Sequence, residues 1–315
     1  MKKLFTILAV AAACVACQKN EIVALDKGEA ISFGNAFVEN SVRAAEDPSL
    51  NNETFKEFQV WGTVNGGNGL VAIYAGDDVK GTVGSNIVDG KETHVWYCDV
   101  KQYWIKDAVY NFAALANATV ANVTPGTDKL PASVRFAANG ATDLVYARSE
   151  ADIVGKASGN APVNFTFDHL LSKVKFTVNN SSTTATGYSF VVRNIAILGA
   201  TEGTCALPAK TWSDFNDASD IEFEDITVAT GVASVECKAE KLLIPGDVKV
   251  KFEVAILCDN VEIGKKTYAY DATYNLAVGH AYNFTIGVAV GEEITFSVTE
   301  APEWTTPTND VELNS

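Results

Sequence analysis

The chain reads as all-β, organised as two tandem antiparallel β-sandwiches. Three observations carry this. Apolar residues recur at every second position in several segments, turn-forming clusters punctuate those segments at short intervals, and no segment sustains a long 3.6-residue apolar period. Period-two alternation marks strands with one buried and one wet face, which sheets stacked in sandwiches produce.

The runs follow in order. "AISFGNAF" offers Ile31 and Phe33 on one face, joined by Phe37 after a break at Gly34. "KVKFTV" sets Val174, Phe176 and Val178 against Lys173, Lys175 and Thr177. "DVKVKFEVAILC" puts Cys258 in phase with Val248, Val250, Phe252, Val254 and Ile256, which predicts a buried small apolar residue there. "AYNFTIGVAV" aligns Tyr282, Phe284, Ile286, Val288 and Val290, and "EEITFSVTE" aligns Ile294, Phe296 and Val298. Between them lie the turn clusters "NGGNG", "TPGTD", "NNSSTTATG" and "IPGD". A mature length of ~300 residues exceeds what one core usually serves, so two domains are expected. The polar, glycine-bearing stretch "SEADIVGKASGNAP" places the boundary near residue 160, give or take about ten residues, between domains at 44–160 and 161–315.

The first residues address the chain to export. "MKK" followed by "LFTILAVAAA" is a basic leader and a short apolar run, too brief for the ~20 residues of a transmembrane helix. Two processing routes fit residues 1–16: an ordinary signal peptide cut after small residues, or a lipoprotein signal. The second is favoured, with Cys17 the acylated first residue and Cys14 the runner-up. Several acyl chains would make a stable anchor where one holds only marginally. Without Lys2 and Lys3 the 24 basic residues become 22 against 39 acidic, a net charge of −17. Nucleic acid is excluded as a partner, because phosphate binding needs a basic face.

Chemistry-bearing motifs are sparse. Of the three histidines, His94 and His280 sit in turn-like contexts and His169 stands beside Asp168. Neighbours on a strand point to opposite faces, so these two cannot act as base and orienter, and His169 reads as a structural residue at a domain seam. No GxSxG, HExxH or P-loop occurs. "GGNG", residues 66–69, precedes a strand and reads as a hairpin turn. Asp214, Asp217 and Asp220 lack the spacing and closing glutamate of a calcium loop. Cys98, Cys205, Cys237 and Cys258 have no CxxC spacing, and nothing in their positions specifies a disulfide. Trp96, Tyr103 and Trp104 are either core aromatics or a sugar-stacking platform, and the core reading is favoured. No metal, cofactor or catalytic residue is expected.

Taken in order, these pieces resemble the fimbrillins, the lipoprotein-derived subunits of type V pili. The resemblance rests on a lipobox cysteine before "QKNEI", "ISF" with "VRAA" about ten residues on, "FQVWGT", "VWYCDVKQYWIKDAVYNFAAL", "VNFTFDHLLSKVKFTV" and "YNLAVGHAYNFTIGV…ITFSVTEAPEW". Two features depart from it: Val42 stands where threonine is common, and eleven residues follow Trp304. The resemblance implies two transthyretin-like sandwiches and a surface fimbria at the outer membrane. It implies that an arginine-specific protease cuts between Arg43 and Ala44, releasing a prosegment of residues 17–43. The strand of Ile31, Phe33 and Phe37 would then be a placeholder. A neighbouring subunit, identical or paralogous, would fill its slot with a C-terminal strand bearing Ile294, Phe296 and Val298. A host or bacterial surface receptor completes the expected partners. Two readings stay open: Arg43 as an ordinary solvated loop residue, and the whole chain as a lipid-anchored adhesin or glycan-binding lipoprotein that does not polymerise.

Overall fold

A computed structural model of the chain describes residues 28–38, 55–88, 91–149 and 152–301. Cys14, Cys17, Arg43 and Ala44 lie outside the described residues. The first half supplies strands β1 (Phe33–Val38), β2 (Glu57–Asn65), β3 (Leu70–Val88), β4 (Lys91–Cys98) and β5 (Val109–Ala116). It continues with β6 (Val123–Pro125), β7 (Pro131–Ala137), β8 (Val145–Arg148), β9 (Ile153–Val154) and β10 (Val163–His169). The second half holds β11 (Ser172–Asn180), β12 (Tyr188–Gly199), β13 (Glu202–Ala206), β14 (Thr211–Ser213), β15 (Ser219–Glu222) and β16 (Ile226–Val228). It ends with β17 (Ser234–Glu236), β18 (Lys241–Leu243), β19 (Gly246–Cys258), β20 (Val261–Leu276), β21 (Ala281–Val288) and β22 (Thr295–Ala301). Among the described residues no helix is long and apolar enough to cross a membrane.

The fold is all-β, as the alternation requires. The "NGGNG" cluster is the hairpin turn joining β2 to β3, with Asn65 opposite Leu70 and the Asn65 carboxamide oxygen accepting from the Gly67 N–H. In the second half, β11, β21, β22, β17 and β18 form one sheet, and β12, β19, β20, β15 and β16 form the other. Val174, Phe176 and Phe284 from the first meet Phe190, Val192, Phe252 and Val254 from the second in one apolar core. This is the expected sandwich.

The first half differs from an open sandwich. Its sheet runs β2-β3-β4-β1-β10-β8-β5-β9, and β2 also pairs with β5. The sheet therefore closes on itself around a core of Phe55, Phe58, Tyr74, Phe112 and Phe167. Full closure removes free sheet edges. A fourth sheet, β14-β13-β7-β6, draws strands from both halves and covers a third core that includes Leu130, Leu144, Leu170, Leu171 and Leu242. The halves are thus joined by a shared sheet and shared apolar contacts as well as by the connecting chain.

Several expectations need correction. The boundary expected near residue 160 sits at the early side of its margin: β10 still pairs with β1 and β8 in the first sheet, and the sheets of the second half begin after Leu170 and Leu171. Strand β11 is buried on both faces: Lys173 and Thr177 are buried beside Val174, Phe176 and Val178. Lys173 reaches Glu240 at 3.5 Å, and the Thr177 hydroxyl donates to the Asn283 carboxamide oxygen at 2.9 Å. Cys258, in phase with a core face, is only half-buried, whereas Cys205 is fully buried and its thiol is pushed up to about 12 by desolvation. All four described cysteines are free thiols. His94 lies within β4 rather than in a turn.

Candidate functional site: the slot of the first strand

Strand β1 fills the gap between β4 and β10. On one side its backbone runs parallel to β10, pairing Phe33 with Val163, Ala36 with Phe165, Phe37 with Thr166 and Val38 with Phe167. On the other, Phe33 pairs with Trp96 of β4. The residues just before β1 add three backbone contacts. The Ile31 N–H donates to the Gln102 carbonyl at 2.8 Å, the Trp104 N–H to the Glu29 carbonyl at 3.0 Å, and the Val163 N–H to the Ser32 carbonyl at 2.8 Å.

The side chains explain why this strand matters to the core. Ile31 and Phe33 are both buried. The Phe33 ring meets Phe58, Tyr74 and Phe112 edge-on, with centroids at 6.2, 5.7 and 6.5 Å, and stacks on Phe165 at 6.2 Å. Such ring pairs add about 0.5–1.5 kcal/mol beyond the area they bury. Phe37 is placed through its backbone alone, since its side chain is not among those described. The break expected at Gly34 is a register shift between Phe33 and Ala36. A Cβ on Gly34 would sit 2.2 Å from the Asn164 carboxamide oxygen and 3.0 Å from Pro162, so a larger residue would displace the Asn164 side chain.

A polar tie fastens the start of this segment. Glu29 accepts from the Asn160 N–H at 2.7 Å and from its Nδ2 at 2.9 Å, while Asn160 is itself held by Lys156. The stretch read as a linker therefore straps down the leading segment. The bonds from Asn160 hold the Glu29 carboxyl below its usual range, against a smaller opposing effect of desolvation. A depressed folded-state value means the tie is present above the ordinary carboxylate range and is lost as pH falls through that lowered value. Amide shifts of Asn160 and Trp104 are therefore expected to move on acidification below about pH 4, and Glu29→Gln should abolish that movement. Identical titrations of the two proteins would refute the tie.

The proposed donor residues are also placed. Strand β22 is an edge strand paired only with β21 among the described strands. Val298 is buried, and Ile294 and Phe296 are partly buried against the second core. Phe296 packs on Phe252, Tyr274 and Phe284 at 5.4, 5.8 and 5.8 Å. Two polar ties pin the strand's ends. The Tyr268 hydroxyl donates to the Ile294 carbonyl at 2.7 Å, and Glu300 meets His280 Nδ1 at 2.6 Å and the Tyr282 hydroxyl at 3.0 Å. These residues therefore occupy their own chain's core, a position the sequence did not indicate.

The remaining candidates resolve into structural roles. Trp96 and Trp104 are buried, with Trp104 edge-on to Tyr110 at 4.6 Å, and Tyr103 is half-buried, so they form no open sugar-stacking face. His169 and Asp168 do point apart. Asp168 binds Lys210 at 2.6 Å, while His169 Nδ1 meets the buried Asp143 at 2.8 Å next to the third core. The sequence signal for Asp143 was absent, because 26 residues separate the pair. Asp220 binds Lys251 across β15 and β19. Among the described residues no group of three or more His, Cys, Asp or Glu is arranged to hold a metal. Arg135, Arg148 and Arg193 lie in β7, β8 and β12, each in an ion pair, with Glu202, Asp128 and Glu253 respectively.

The fold has counterparts in known proteins. A fimbrial protein from Bacteroides vulgatus ATCC 8482 is similar with a TM-score of 0.60 and 14% identity, over 88% of this chain and 99% of its own. A Bacteroides ovatus ATCC 8483 protein provisionally named for cell adhesion is similar with a TM-score of 0.52 and 17% identity, over 90% and 99%. At these identities the likeness is one of fold. No curated protein matches the chain. The fimbrillin-like family matches residues 43–302, from the arginine after β1 to just past β22. Matched over most of its length, the chain belongs to the fimbrillin-like family.

Proposed function

We propose that the chain is a structural subunit of a surface fimbria that supports adhesion. In this reading it is exported as a lipoprotein acylated at Cys17 and held at the outer membrane. An arginine-specific protease then cuts between Arg43 and Ala44. Loss of residues 17–43 removes β1 and opens the closed sheet between β4 and β10. The observation that carries the reading is the position of β1: one strand closes the sheet and contributes Ile31 and Phe33 to its core.

The physical consequence follows. Burying two such side chains contributes roughly 1.5–3 kcal/mol each, and the vacated slot exposes backbone donors and acceptors on β10. A strand with alternating apolar residues can fill it, its main chain supplying affinity and its side chains register. Ile294, Phe296 and Val298 have that alternation. Their release from the second core is the opposing cost, limited because β22 is an edge strand. Each subunit donates to the next in a head-to-tail contact that does not close, so a filament grows. The arginine pattern supports a single cut, since Arg135, Arg148 and Arg193 are in strands and ion-paired.

The test is size-exclusion chromatography of the intact and arginine-trimmed protein, with N-terminal sequencing. Trimmed chains should begin at Ala44 and elute as a ladder of oligomers, and an Arg43→Ala variant should stay intact and monomeric. A chain that begins at Ala44 and remains monomeric would refute strand exchange and favour a lipid-anchored protein that acts alone.

A further inference from the structure

A second feature lies at the seam between the halves, away from the β1 slot. Three segments meet there around an open cleft of about 610 Å³: Lys210–Ala218, the turn from Ile244 to Asp247, and the end of β20 with the two residues after it, Asn275–Val278. This size falls within the range of small-ligand sites, roughly 300–1,000 Å³.

One wall is aromatic and rigid. Phe215 is 46% exposed, unusual for a ring that large. Its back rests on backbone, because Cβ atoms placed on Gly203 and Gly246 would lie 3.1 and 3.6 Å from the ring. The same Gly203 position would press on Trp212 at 3.1 Å, so a glycine there lets both rings lie close to the strand. Trp212 is fixed by its indole N–H, which donates to the Leu170 carbonyl at 2.9 Å. The loop carrying Phe215 is clamped by the next residue. The Asn216 carboxamide oxygen accepts from the Thr201 and Glu202 N–H groups, and its Nδ2 donates to the Thr201 hydroxyl. Another part of the lining is polar: Asp247 and Asn275 are exposed, and Asn275 Nδ2 donates to Asp247 Oδ1 at 2.8 Å.

We propose that this cleft binds the ring of a neutral saccharide. A pyranose has an apolar C–H face and a rim of hydroxyls, and the cleft presents an aromatic ring together with a carboxylate–amide pair. The hydroxyls have donors and acceptors to meet in Asp247 and Asn275. The rings are already immobilised, so little side-chain entropy is lost when a ligand stacks on Phe215. Charge selects the class. Lys210 also lines the cleft, but its ammonium is paired with Asp168 at 2.6 Å, so Asp247 and a formal net charge of −15 on the chain disfavour uronic and sialic acids. The proposal rests on the adhesive part of the proposed function for its biological setting, and its geometry is independent of strand exchange.

Saturation-transfer NMR on the full chain tests it, with methyl β-D-galactoside, methyl α-D-mannoside and methyl β-D-glucoside each titrated to about 10 mM, where millimolar binding is detected. At least one should show transfer to its ring C–H protons. That transfer should weaken about tenfold or more in Phe215→Ala and separately in Asp247→Ala. Asp247 is exposed, so its variant reports on binding should Phe215→Ala perturb the loop. Absence of transfer from all three glycosides, or equal transfer in wild type and both variants, overturns the proposal. So does displacement of the glycoside by an apolar peptide that binds in its place. The readout uses the untrimmed chain, so it stands or falls separately from polymerisation after cleavage.

Discussion

Replacing Phe33 by alanine is expected to lower the unfolding free energy of the intact protein by about 3–5 kcal/mol. The magnitude is that of a fully packed aromatic lost from a core. Phe33 is buried and contacts four other rings, from β2, β3, β5 and β10. The cavity cannot collapse easily, because the surrounding strands belong to a closed sheet whose spacing is fixed by its hydrogen-bond ladders. Denaturant unfolding followed by near-ultraviolet circular dichroism measures the loss. A second consequence separates a placeholder from an ordinary core strand. In Phe33→Ala the leading segment is held mainly by its backbone and by Ile31, so a synthetic peptide spanning Ile294–Ala301 should bind the uncut variant and not the uncut wild type. A loss below about 1 kcal/mol, well under the range for core aromatics, would mean that β1 is not an integral part of this core.

The second large effect is expected at the seam. Asp143→Ala should destabilise the protein by about 1–3 kcal/mol, the cost of leaving a buried hydrogen-bonding group without its partner. Asp143 and His169 are both buried, and their 2.8 Å contact is flanked by a backbone bond from the Leu170 N–H to the Leu144 carbonyl. Leu144 and Leu170 belong to the third core, which both halves share. The variant should therefore weaken the junction as well as the total, and unfolding should spread into two steps as the halves separate. Asp143→Asn keeps a carbonyl oxygen near the ring N–H and should lose less. A single unshifted transition in Asp143→Ala would show that the pair contributes nothing to the junction.

Much of the architecture was legible beforehand because side-chain alternation is local. Val174, Phe176 and Val178 had to share a face, as did Phe284, Ile286 and Val288, and all six are buried in the same core. The same alternation failed for the opposite face of β11. A polar residue in a strand tells only that its face can reach water, and Lys173 reaches Glu240 instead. The end of the first sheet was legible only to within about ten residues, for a related reason. The glycine-bearing stretch before Pro162 resembles a linker in composition, but its Asn160 fastens Glu29 and the next strand returns to the first sheet.

The strand slot shows the same division. Sequence alone identified an apolar leading strand at Ile31 and Phe33, a break at Gly34 and a single arginine shortly afterwards. It also identified an apolar alternation at Ile294, Phe296 and Val298, and excluded nucleic acid as a partner. Each of these depends on residue type and spacing within a few positions. Only the tertiary structure decided that β1 lies parallel to β10, that pairing of β2 with β5 closes the sheet, and that β22 is docked in its own core. It alone joined His169 to Asp143 and seated Phe215 on two glycines distant in the chain. The reason is that backbone donors and acceptors are the same in every strand. A strand's own sequence fixes which face is apolar, while its neighbours are chosen by how all the apolar faces of the chain can be buried at once.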